Sequence, residues 1–153
     1  MIITKDTPGL VRAKDKGEAN HTYLWEKDLI VDEDLTIALD SDLYIRGDLK
    51  VNGSITVDSS LEVAGYVKVM EFANFSYDLS VEESILVGEE MQCSDVFAEG
   101  SITCGKSILS TGYIRANGNI VAGEVLVACG CECEDTGSVL AGGQIVLTTK
   151  RPE

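Results

Sequence analysis

One six-residue phrase, polar–aliphatic–polar–aliphatic followed by a short polar or glycine corner, runs unbroken five times through residues 42–69, DLYIRGDLKVNGSITVDSSLEVAGYVKV. Its aliphatic pairs are Leu43/Ile45, Leu49/Val51, Ile55/Val57, Leu61/Val63 and Val67/Val69. Alternation within a pair is period two, so both members point to one side of a short strand. Six residues cannot hold a hairpin strand and its turn in an ordinary sheet. They suit one wall of a polygonal coil that turns a corner after every phrase. A repeat of this kind fixes the architecture ahead of any other consideration. The fold expected is all-β, a three-sided parallel β-helix.

The phrase extends well beyond that stretch. It begins at Leu29/Val31, slips by two residues at 40–42, and continues with one-residue slips to Ile145/Leu147. The residue before each pair is repeatedly Asp, Ser or Asn, as at Asp48, Ser84, Ser101 and Asn119, and glycine follows at Gly47, Gly65, Gly100 and Gly118. Short polar side chains bond nearby backbone at a bend, and glycine is expected to supply φ > 0 there. With three phrases per coil, every eighteenth residue stacks. Leu43, Leu61, Leu79, Val96, Ile114 and Cys131 form one inward column, and Leu49, Val67, Ile85, Ile102, Ile120 and Val139 the second. Ile55, Ala73, Met91, Ile108, Val125 and Ile145 form the third. The expected organisation is an N-terminal cap over residues 1–28, about six coils over 29–147, and a tail over 148–153. The cap carries Ile2/Ile3, Leu10/Val11 and Tyr23–Leu24–Trp25, with a turn at Pro8–Gly9. Trp25 is expected to plug the end of the coil.

Charge bounds the partners. The chain has 26 acidic against 12 basic residues, a net charge of −14. Nucleic acid and anionic membrane are excluded as partners, because both are bound by Lys and Arg neutralising phosphates. A basic protein would be attracted. No apolar run is long enough to cross a membrane and no leader pattern opens the chain, so a cytoplasmic location is expected. Five cysteines, an odd number, fit reduced thiols rather than a disulfide framework. Cys129, Cys131 and Cys133 form C-G-C-E-C, with Cys93 and Cys104 elsewhere. Alternate cysteines on a strand chelate poorly, and these positions read as core, so neither metal nor cofactor is expected. His21 is the only histidine and lies outside the repeats. No phosphate loop, nucleophile elbow or calcium loop is present, and the first wall's outward slots, Tyr44, Glu62, Ser80, Phe97, Arg115 and Glu132, hold no carboxylate pair for acid–base work. Catalysis is not expected.

At IRGDLKVNGSITV and GYIRANGNIVAG the sequence resembles the bactofilins, polymer-forming cytoskeletal proteins of bacteria, and the resemblance extends over residues 29–147 as a repeat pattern. It implies a triangular, right-handed β-helix of about six coils that assembles end to end. Two features depart from that family's pattern: an apolar N-terminal segment where flexible tails and open ends are usual, and the strong acidity.

Two surface features bear on function. Between Lys68 and Lys106 there is no basic residue, and that interval holds Glu71, Asp78, Glu82, Glu83, Glu89, Glu90, Asp95 and Glu99 with the aromatics Phe72 and Tyr77. Aromatic anchors in an acidic rim suit a basic protein partner. Separately, the outward slots of the other two walls turn apolar, with Leu86, Val121 and Leu140 beside Leu109, Leu126 and Val146. Six such residues make a patch expected to be covered, by self-association into a homo-oligomer or by the cap. The function expected is stoichiometric protein binding, most concretely an immunity protein occluding a basic, nuclease-like toxin. The alternative is a bactofilin-like scaffold polymerising end to end.

Overall fold

The computed structural model describes residues 1–18, 20–134 and 137–148, and its chain winds as a parallel β-solenoid of about seven turns. The tail expected at 148–153 lies, apart from Thr148, outside the described residues. Three sheets form the walls. Wall A begins with Ile2–Ile3 and Leu35–Ile37 and ends with Ile145–Leu147; wall B runs from Tyr23–Trp25 through Leu43–Ile45 to Gly130–Cys133; wall C runs from Leu29–Val31 to Val139–Ala141. Strands are two to four residues long and pair in parallel with the equivalent strand one turn away. Leu43 stands on Leu61, Leu61 on Leu79, and Leu79 on Val96, as the six-residue phrase requires. Inward residues of the walls are almost wholly buried and form one continuous cluster from Ile3 to Ala128. Each fully buried Leu, Ile or Val contributes about 1.5–3 kcal/mol relative to exposure, and this column of aliphatics holds the tube.

The third inward column differs from the expected one at a single turn. Leu126, not Val125, stacks between Ile108 and Ile145, and Leu126 is 0% exposed. Val125 sits at the corner, where its N–H donates to Ser107 Oγ (3.3 Å), and Val127 takes the outward slot. The corner Gly123–Glu124–Val125 spends three residues, as its predecessors do, and the aliphatic run VLVA carries no polar residue to mark the phase. Leu126 is therefore a core residue and is removed from the self-association set.

Corner polar residues bond upward rather than locally. Asp48 Oδ1 accepts the N–H of Tyr66 (3.0 Å), Ser84 Oγ that of Ser101 (3.0 Å), Ser101 Oγ that of Asn119 (3.0 Å) and Asn119 Oδ1 that of Ser138 (2.9 Å). Each acceptor satisfies a backbone donor one turn along, where the chain bends out of the ladder. Corner glycines also work differently from the expectation. Among the described glycines only Gly9 and Gly17 have positive φ. At the corner between walls C and A, Gly88, Gly105, Gly123 and Gly142 stack so closely that a Cβ on Gly105 would run into the carbonyl oxygen of Gly88. Close approach, not left-handed backbone, selects glycine there.

The N-terminal residues join the walls and also cover them. Ile2–Ile3 pairs in parallel with Leu35–Ile37, and Tyr23–Trp25 with Leu43–Ile45. Leu10–Arg12 pairs antiparallel to Tyr23–Trp25 at the edge of wall B. Trp25 is buried, its indole N–H donates to the Asp28 carbonyl (3.3 Å), and Gly9 lies against its ring so tightly that a Cβ would come within 2.9 Å. A 3-10 turn, Ala13–Lys16, then leads the chain back over the outside of wall B, burying Leu24 completely although its slot faces outward.

Candidate functional site

The outward face of wall B is where the chain's charge, aromatic rings and concavity meet. Its slots, in register, are Leu24, Tyr44, Glu62, Ser80, Phe97, Arg115 and Glu132. The sequence had placed these six side chains from Tyr44 onward on the outside, and they are there.

The first turns of this face are occupied by the chain's own residues 13–18 and 20–22. Arg46 donates to Glu18 Oε1 (2.9 Å) and to the Lys16 carbonyl (3.3 Å). His21 stacks on Tyr44 with ring centroids 4.7 Å apart at 25°. Its Nδ1 lies 3.0 Å from Asp42 Oδ2 and its Nε2 3.6 Å from Glu62 Oε2. Burial presses the Asp42 carboxyl upward, but hydrogen bonds from Thr22 and His21 outweigh it and leave the group below its ordinary value. Tyr44 is raised, first by burial and then by the carboxylates of Glu82, Glu18 and Glu62. The face is thus a field of negative potential even where it is covered.

Beyond Glu62 the face is open. A groove of about 640 Å³ runs over Asp78, Ser80, Asp95, Phe97, Tyr113 and Arg115. Small Ser80 deepens its floor, and the Arg115 guanidinium lies over the Phe97 ring, 5.5 Å from its centroid, with Nε 3.5 Å from Glu132. A hollow of about 160 Å³ between His21 and Ser80 shares Asp78 and Ser80 with this groove.

The ten residues singled out for partner binding fall on all three edges of the prism. Tyr77, Asp78 and Asp95 lie on the edge between walls A and B; Glu82, Glu83 and Glu99 on that between B and C; Glu71, Phe72, Glu89 and Glu90 on that between C and A. Phe72 and Tyr77 are half-exposed, at 51% and 56%. The acids therefore form a belt around the middle turns, and the first two edges flank wall B on either side. Sequence reasoning missed Tyr113 and Arg115, which lie outside the base-free interval. The signal that points to them is the aromatic Phe97 beside a basic residue one repeat later in the same outward column.

The remaining apolar slots lie on the other two walls. Leu86, Leu140 and Val146 are exposed, and Leu109 and Val121 half-buried, with Val127 in the place expected for Leu126. The N-terminal segment lies on wall B and leaves these exposed. The cysteines behave as core. Cys93, Cys104 and Cys129 are buried, and Cys131 and Cys133 stack on Ile114 and Ala116. Burial raises the Cys93 thiol to about 12 and that of Cys131 to about 11, and pushes Cys104 and Cys133 upward too, which disfavours the thiolate needed for ligation or attack. Among the described residues no three His, Cys, Asp or Glu side chains converge as a metal site, and no helix is long and apolar enough to cross a membrane.

Fold and surface together define a three-walled parallel β-solenoid with one wall half covered by its own N-terminal segment. Comparison with protein-family models, curated proteins and solved structures gave no match for the chain.

Proposed function

We propose that this is a non-enzymatic cytoplasmic protein that works by occluding a basic partner protein, most concretely an immunity or antitoxin protein that neutralises a cationic, nuclease-like toxin. The observation that carries this reading is the open groove of wall B, lined by Asp78 and Asp95 on the edge toward wall A, with Glu82, Glu83 and Glu99 on the opposite edge of the same wall. Complementary charge speeds encounter and suppresses wrong partners, while the half-buried rings supply desolvated contact. The product of the adjacent open reading frame is the partner to test. It should be basic, toxic when expressed alone, and silenced in a one-to-one complex with this chain. An acidic or harmless product that forms no complex refutes the reading. The edges supply a matched control: Glu82→Lys/Glu83→Lys and Glu89→Lys/Glu90→Lys change the net charge equally, but only the first pair lies on an edge of wall B. The first should slow association at least about tenfold and the second far less. Equal effects would place the contact elsewhere.

A second reading, a bactofilin-like scaffold that polymerises end to end, is favoured by the triangular solenoid and by the apolar slots Leu86, Val121, Leu140 and Val146, which suit a homo-oligomer. Light scattering separates the two. A scaffold forms salt-promoted filaments, and Val121→Lys/Leu140→Lys should lower the mass of any lateral assembly; a 16.4 kDa monomer in parent and variant alike removes this reading.

A further inference from the structure

Wall B presents the same subsite twice. Asp42 and Tyr44, a corner carboxylate two residues before an outward ring, recur three turns along as Asp95 and Phe97. At about 4.8 Å per turn the two lie roughly 14 Å apart on one face. The first is filled by the chain itself: the His21 ring lies flat on Tyr44, one ring nitrogen reaches Asp42, and the other faces Glu62 in the next slot. The second lies in the open groove, with a guanidinium already resting on its ring, Arg115 over Phe97, and that guanidinium's Nε facing Glu132 one slot on. In both places a flat cationic or polar nitrogen group stacks on the ring and faces a carboxylate farther along the same column, Glu62 one turn beyond Tyr44 and Glu132 two turns beyond Phe97.

We propose that the open half of wall B is a channel for an extended basic segment of a partner protein, which lodges an arginine side chain on Phe97 beside Asp78 and Asp95 and repeats the contact that His21 makes on Tyr44. The proposal rests on the reading of the chain as a binder of basic proteins and adds the ligand group and its seat. Arginine fits better than lysine because its planar guanidinium stacks on a ring while its edge donates to carboxylates; an ammonium offers a point charge without a face. Arg115 is the competitor. Its side chain is 59% exposed and is held by one long ion pair and its place over the Phe97 ring, both of which an incoming guanidinium replaces in kind, so displacing it costs little. The incoming segment enters beside the covered turns, where the hollow lined by His21 and Glu62 shares Asp78 and Ser80 with the groove.

The test uses the full chain and two probes of equal charge, hexa-arginine and hexa-lysine, read by fluorescence anisotropy at fixed salt. Hexa-arginine should bind about three- to fivefold more tightly than hexa-lysine. Phe97→Leu, which keeps an apolar side chain in an outward slot, should abolish that preference while both peptides still bind. Arg115→Ser should tighten hexa-arginine severalfold. Equal binding of the two peptides by the parent, or a preference unchanged in Phe97→Leu, overturns the stacking seat and leaves the basic-partner reading standing. Failure of both peptides to bind overturns both.

Discussion

Leu126 and its two neighbours decide the register of the sixth turn by a measurable amount. Leu126 is 0% exposed between Ile108 and Ile145, whereas Val125 and Val127 are half-buried. Replacing Leu126 by Ala deletes three carbons, a transfer loss of about 2.4 kcal/mol at roughly 0.8 kcal/mol per methylene. The cavity left in a tube whose backbone is pinned on both sides brings the cost to about 3–4 kcal/mol. Val125→Ala and Val127→Ala each remove two methyl groups that water already reaches, for about 1 kcal/mol or less. In urea, with a slope near 2 kcal/mol per molar, Leu126→Ala should lower the midpoint by about 1.5–2 M and the valine variants by about 0.5 M or less. The slope must stay unchanged among the three, since terminal turns of a solenoid can melt ahead of the rest and would flatten it. A costly Val125→Ala beside a nearly neutral Leu126→Ala would restore the register that simple alternation suggests and refute the one described above.

Gly105→Ala tests the stacked corner: its methyl has to displace the Gly88 carbonyl oxygen, so a loss of about 2–3 kcal/mol is expected, against about 1 kcal/mol for Gly17→Ala, which faces open space at φ 78°. His21→Ala removes the ring stacked on Tyr44 and its bond to Asp42, so trypsin should cleave after Lys14 and Lys16 markedly faster with the solenoid intact; an unchanged rate would mean that the remaining contacts of Arg46 and Thr22 hold the segment. The raised Cys93 and Cys131 thiols keep their protons in the fold and lose them more readily when unfolded. That contribution is complete below the ordinary thiol value near 9 and fades as pH rises toward 11–12, so the urea midpoint should fall over that window, and Cys93→Ala/Cys131→Ala should flatten the fall. Among the described residues the buried Ser59 hydroxyl meets no hydrogen-bond partner, so Ser59→Ala should be neutral or slightly stabilising in the same assay.

The walls were legible because their determinants are local. Each phrase carries its own alternation and its own corner, so Leu43, Leu61 and Leu79 could be stacked by counting eighteen. Counting fails where the polar mark is missing: in VLVA at 125–128 both phases bury aliphatics, and the neighbouring turns select between them, with Ser107 holding the Val125 N–H and Ile108 bonding the Val125 carbonyl. Gly47, Gly65, Gly100 and Gly118 were placed at corners for the wrong reason, and the stack of Gly88, Gly105, Gly123 and Gly142 was not singled out, because close approach between turns is invisible in a single phrase. The acidic interval was legible as composition but not as a surface. Winding distributes neighbours in sequence over three edges, so Glu82 and Glu89 face different walls although seven residues apart. The seat of His21 on Tyr44 was beyond reach of pattern, since it joins a non-repeating segment to a slot 23 residues later.

The corner bonds give the tube a sense of direction. Ser84, Ser101 and Asn119 each lend an acceptor to the turn that follows and none to the turn before. Severed between turns, the molecule would yield one fragment with orphan side-chain acceptors on its cut surface and another with orphan amide donors. The backbone ladder runs in both directions, but these side-chain bonds form only when the following turn meets the one before it, so a split chain should favour its native order over pairing like with like.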